Sequence, residues 1–165
     1  MKESNLKTLI RYSVLMALTT VMTMAIHIPT VNTNGYLNLG DMVIFIAALT
    51  MGKKAGFIVG GIGSAMADLL LGYTHYAPIT LIVKGLEGYI AGIILERNIG
   101  RKRPIIATTI GGIFMAFGYF VAEIFMYGKG AIASVPGNIA QGMLGAISSV
   151  VLYEALKKTN ALKIK

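Results

Sequence analysis

The sequence predicts an all-α membrane protein: six transmembrane helices in one domain spanning residues 1–165, with both termini on the cytoplasmic side. Three observations predict it. The chain is 55% hydrophobic and only 13% charged, more apolar surface than a soluble domain of this size can bury. The apolar residues gather into six runs. The basic residues fall almost entirely in alternate connectors.

The runs, read in order, cover residues 9–28, 39–51, 55–72, 79–95, 105–127 and 136–156. A bilayer-spanning helix needs about 20 residues, and five runs reach or approach that. The first run has no small-residue cleavage site, so it reads as a retained helix rather than a signal peptide. The second is short, which leaves a tilted helix, a broken one or one extended into its loop. The third is nearly smooth, with Gly56, Gly60, Gly61, Gly63, Ala65 and Ala67, and the fourth carries Gly88 and Gly92 four apart. Small residues of this kind let membrane helices approach closely.

Thirteen of the fifteen basic residues lie before or in the first turn of the first run, between the second and third, between the fourth and fifth, and after the sixth. The other connectors, 29–38, 73–78 and 128–135, carry only Lys129. By the positive-inside rule the basic connectors and both termini are cytoplasmic. The net charge of +8 is therefore a topology signal, and nucleic acid is not an expected partner, since no binding module is present. With no cysteine there is no thiol chemistry. His27 and His75 have no companions at metal-ligand spacing. No cofactor, metal or catalytic set is expected.

Ionisable residues inside a membrane are costly and point to function. Ser64 and Asp68, Lys84 and Glu87, Tyr119 and Glu123, and Asn138 and Gln141 are pairs three or four apart on four successive helices, so each pair shares a helix face. Counted at 1.5 Å per residue, they lie within roughly 12 Å of the outer helix ends. Asp41 opens the second helix on the same side. The inner halves carry little beyond hydroxyls. The pattern predicts a cup open to the exterior rather than a channel. Other readings stay open for single members. Lys84 and Glu87 can simply neutralise each other. Asp68 and Glu123 can be solvated at the interface. Asn138 can serve the helix start after Pro136. Tyr36, Tyr73, Tyr76 and Tyr127 suit an interfacial aromatic belt.

Three stretches resemble the substrate-binding S component of energy-coupling factor (ECF) vitamin transporters: Tyr36-Leu-Asn-Leu-Gly-Asp41, Gly61-Ile-Gly-Ser-Ala-Met-Ala-Asp-Leu-Leu-Leu-Gly-Tyr73, and Tyr76-Ala-Pro-Ile-Thr-Leu-Ile-Val-Lys-Gly-Leu-Glu-Gly88. The resemblance implies no enzymatic activity. It implies a lid formed by residues 29–38 and ligand contacts mainly from helices four to six. Its partners are a membrane T component and two ATPase subunits. Docking in the family uses a small-xxx-small patch on the first helix, here Ser13-Val-Leu-Met-Ala17, with serine where alanine is common. Within the family the chain looks most similar to members for vitamin B6 or hydroxymethylpyrimidine.

The reading is a vitamin-binding subunit in the cytoplasmic membrane that takes pyridoxine, pyridoxamine or hydroxymethylpyrimidine. The expected contacts are Asn38, Asp41, Tyr76, Lys84, Glu87, Tyr119, Glu123, Asn138 and Gln141. Asn38 and Asp41 anchor the lid and Tyr76 stacks on the ring. The alternatives are a self-sufficient proton-coupled permease, or an S component for riboflavin or another vitamin.

Overall fold

A computed structural model describes residues 3–29, 35–97, 100 and 102–159. Among the described residues six helices carry the chain, all but the second of them long: α1 (Glu3–Ala25), α2 (Gly40–Met51), α3 (Lys53–Leu71), α4 (Ala77–Glu96), α5 (Pro104–Tyr127) and α6 (Val135–Lys158). A small antiparallel hairpin, β1 (His27–Pro29) and β2 (Tyr36–Asn38), joins α1 to α2, and a 3-10 turn (Gly128–Ser134) joins α5 to α6. In the hairpin His27 pairs with Asn38 and Pro29 with Tyr36. Residues 30–34 of the expected lid lie outside the described residues.

Each apolar run became a helix, with boundaries moved by physical punctuation. Pro104 opens α5 and Pro136 stands in the first turn of α6, where a missing N–H costs nothing. Pro78 does the same for α4. Lys53 and Lys54, expected in a connector, instead form the first turn of α3. Gly52 alone separates α2 from α3, at φ 86°, a conformation open to glycine.

The polarity is inverted relative to a soluble protein. Large apolar side chains face outward on every side: Val14 is 60% exposed, Leu70 62%, Phe117 61% and Val151 66%. Lysine, glutamate, aspartate and glutamine side chains lie inside. Only a lipid solvent makes that arrangement favourable. Helices α1, α3, α4 and the helical stretch Pro104–Lys158 are long and apolar enough to cross a membrane.

The short α2 is explained by its place. At 12 residues it is about 18 Å long, too short to span. It is buried on all sides from Val43 to Leu49 and packs against α1, α3, α4 and α6. It needs no lipid-facing length because its neighbours supply it.

Glycine sets the helix spacing. Gly56 of α3 lies on Gly88 of α4 so closely that a Cβ on either would overlap the other's backbone. A Cβ on Gly112 of α5 would come within 3.0 Å of Gly142 of α6. The second glycine of the expected pair, Gly92, lies on the backbone of Lys53. Replacing Gly88 with Val must push α3 off α4. The expected cost is about 1–3 kcal/mol or more, visible as a lowered unfolding temperature in detergent. An unchanged transition would contradict this contact.

Candidate functional site

The inward polar residues gather at the end of the bundle that carries the hairpin. Local structure puts them there. On α4, Thr80, Lys84 and Glu87 follow Pro78 at helical spacing and share one face. On α5, Tyr119 and Glu123 point the same way one turn before the helix ends at Gly128. On α6, Asn138 and Gln141 sit in the first turns. Asp68 lies one turn before Gly72, whose left-handed conformation (φ 85°) ends α3 and lets Tyr73 N–H bond the Asp68 carbonyl at 2.8 Å.

The charged centre is Lys84. It is 1% exposed, and its ammonium donates to Asp41 and lies 3.3 Å from Glu87 Oε2. The expected Lys84–Glu87 pair is therefore a three-membered group, with α2 supplying the nearer carboxylate. Gln141 Nε2 donates to both Asp41 oxygens, at 3.2 and 3.0 Å, while Gln141 Oε1 accepts from the Asn38 backbone N–H at 2.8 Å. Asn38 Oδ1 in turn accepts from Gly40 N–H at 2.9 Å. One connected network thus ties β2, α2, α4 and α6. Lys84 Nζ also lies 5.8 Å from the centroid of the Tyr119 ring, within cation–π range.

A second group sits nearer the rim. Tyr76 donates to Glu123 Oε1 at 3.0 Å, and Ser134 of the 3-10 turn donates to Glu123 Oε2. Thr80 and Tyr119 hydroxyls share a bond at 3.0 Å. Tyr36 donates to Asp68 Oδ1 at 2.6 Å. Burial, and then that bond, pushes the Tyr36 hydroxyl far above the ordinary phenol range, so it stays a donor.

These groups enclose a cavity of about 30 Å³, room for about one or two waters. Seven expected contacts line it: Asn38, Tyr76, Lys84, Tyr119, Glu123, Asn138 and Gln141. Asp41 and Glu87 do not line it; they lie against Lys84 and hold its charge. Asn138 is 6% exposed and faces the cavity besides lying in the first turn of α6. Asp68 faces the cavity as well. Tyr36 and Tyr76 line it too, rather than standing in an aromatic belt, while Tyr73 packs on Tyr36 with ring centroids 4.8 Å apart. Sequence reasoning passed over Thr23 of α1 and Thr80 of α4. The signal for Thr80 was its place one turn before Lys84; nothing local marks Thr23. Ser13 and Ala17 lie on the exposed face of α1. Among the described residues no group of side chains could hold a metal ion.

A chain with this cavity inside an apolar shell is a solute-capturing membrane subunit, and its sequence relatives say which kind. The family model for the S component of ECF-type riboflavin transporters matches residues 3–158. The chain belongs to that family. It is the substrate-binding S component of a vitamin or vitamin-precursor transporter, a multi-pass membrane protein and not an enzyme. It is 30% identical over 164 residues to the thiamine precursor transporter HmpT of Lactococcus lactis subsp. cremoris (strain MG1363), covering 98% of this chain and 95% of the relative. It is 39% identical over 140 residues to an uncharacterized protein of Pyrococcus woesei, covering 84% of this chain and 94% of that one.

The three-membered charge group makes a prediction. Lys84→Met leaves two carboxylates buried without a cation, and the expected loss is about 3–5 kcal/mol of stability. Adding Asp41→Asn and Glu87→Gln removes every charge and restores a large part of it. Thermal unfolding of the single and triple variants in detergent checks this; a triple variant no better than the single one refutes the account.

Proposed function

We propose that this chain captures a small heteroaromatic vitamin or precursor, pyridoxine, pyridoxamine or hydroxymethylpyrimidine, from outside the cell membrane. It hands the ligand to an ECF T component and two ATPase subunits for ATP-driven import. All six helices cross or fill the membrane as one domain, with both termini cytoplasmic. The observation that carries the reading is the cavity. It is polar, lies at the end of the bundle away from the basic connectors, and sits within an apolar exterior.

The similarity to a thiamine precursor transporter supports a ring of pyrimidine size. A ring of that size needs far more room than the cavity offers; an engineered cavity that binds benzene measures about 150 Å³. Opening therefore breaks the bonds that hold β2 down, Tyr36 to Asp68 and Asn38 N–H to Gln141. Asn138, Gln141, Tyr119 and Lys84 then supply polar contacts to the ligand, and Tyr76 and Glu123 close its rim. Asp41 and Glu87 act through Lys84, fixing its position. Ser13 and Ala17 lie on the open face of α1 and suit docking to the T component.

The proton-coupled permease is disfavoured by the other half of the bundle. Its buried hydroxyls, Thr108 and Ser149, bond carbonyls of their own helices, and that spends them on structure rather than on a proton path.

The expected result is that Asn138→Ala and Gln141→Ala each weaken ligand binding about tenfold or more while the chain still folds, measured by calorimetry in detergent. Liposomes holding this chain alone show no uptake driven by a proton gradient. Uptake appears with the T component, the ATPases and ATP. Gradient-driven uptake by the chain alone would overturn the reading.

A further inference from the structure

Three buried polar atoms in the cavity wall have no hydrogen-bond partner among the described residues: Thr23 Oγ1, Ser64 Oγ and Asp68 Oδ2. Their residues are 1%, 2% and 2% exposed. All three sit on α1 and α3, not on the helices expected to supply most contacts. The other Asp68 oxygen already accepts from Tyr36, and the Thr80 hydroxyl, which lies against the Asp68 carboxylate, is shared with Tyr119.

The two hydroxyls break a rule that six other helical hydroxyls keep. Thr19, Thr20, Thr50, Thr108, Ser148 and Ser149 each donate to a carbonyl three or four residues back in their own helix. That is the usual resting place of a hydroxyl inside an apolar helix. Thr23 and Ser64 make no such bond among the described residues, and both residues line the cavity. Buried polar groups without partners are rare because they are costly, and here three surround one space.

We propose that Thr23, Ser64 and Asp68 form a subsite that reads a hydrogen-bond donor on the ligand ring, an amino or hydroxyl group. This rests on the cavity being the vitamin site. An ionised carboxylate oxygen can only accept, so the ligand must present N–H or O–H to Asp68. The two hydroxyls can each accept a hydrogen bond or donate one to a neighbouring ring nitrogen or oxygen. A carbonyl, carboxylate or phosphate at this position would set acceptor against acceptor and is rejected. The α1–α3 wall thus selects the substituent, while the α4–α6 wall holds the rest of the ring.

The test is a cycle of ligand and protein changes on the full chain in detergent, read by calorimetry. The probes are hydroxymethylpyrimidine bearing its ring amino group, the analogue with hydrogen in its place, pyridoxine, and the ether made by methylating its ring hydroxyl. The variants are Asp68→Asn, Ser64→Ala and Thr23→Val. In wild type, deleting the donor is expected to weaken binding about tenfold or more, and in Asp68→Asn less than about threefold. The pair that shows this coupling tells amino from hydroxyl. Ser64→Ala and Thr23→Val are expected to bind the parent ligand less tightly yet unfold, ligand-free, at the same or a higher temperature, since each removes an orphan hydroxyl. A purely structural role predicts the opposite pairing. Should Asp68→Asn fail to fold, the Ser64→Ala cycle decides. Equal donor penalties in wild type and variants, with the parent ligand bound, overturn the subsite and leave the vitamin reading standing. Wild type binding none of the four probes overturns both.

Discussion

The buried ammonium of Lys84 is the constraint on which the rest of the site depends. A cation at this depth cannot be left alone, and its two carboxylates come from α2 and from its own helix. Asp41 is the nearer and is itself held by Gln141, which also receives the backbone of β2. The hairpin, the central helix, α4 and α6 are therefore not independently placed. Each reads its position from a charge that must be balanced. In a membrane, where apolar packing does not distinguish one helix partner from another, such a network supplies the specificity that a water-driven core supplies elsewhere.

Close helix approach makes that network possible. A side chain as short as that of Asp41 reaches the Lys84 ammonium only if α2 lies close to α4, and Gln141 reaches Asp41 only if α6 lies close to α2. Glycine removes the bulk that would hold them apart: a Cβ on Gly145 of α6 would come within 2.5 Å of the Asp41 Cβ. The apolar exterior and the glycine seams are two parts of one solution. Large side chains are sent outward to lipid, and small ones are kept where helices cross.

Much of this was legible in the sequence. The six helices followed from apolar runs because lipid demands continuous apolar length. The cup followed from pairs such as Tyr119 and Glu123, whose spacing fixes a shared face. What stayed hidden depends on tertiary neighbours. Asp41 lies 43 residues from Lys84, and only the central burial of α2 brings them together. That burial also explains why a 12-residue run resisted a single interpretation: span length is a rule about lipid, and α2 meets none on its buried face. Thr23 was unreadable as a cavity residue because a hydroxyl in an apolar helix usually turns back on its own carbonyl. Tyr36 was read as a headgroup anchor because phenols near a membrane surface commonly are.

The smallness of the cavity has a consequence for how quickly and how strongly a solute is held. On the proposed function, a form with about 30 Å³ of space does not hold the ring, and the observed dissociation constant is the intrinsic one divided by the fraction of molecules that stand open. Every bond from β2 to the bundle lowers that fraction and slows capture. Encounter alone does not set the association rate of such a receptor. On the same reading a conformational equilibrium gates it, and hairpin substitutions that remove such a bond raise the open fraction without touching any atom of the solute.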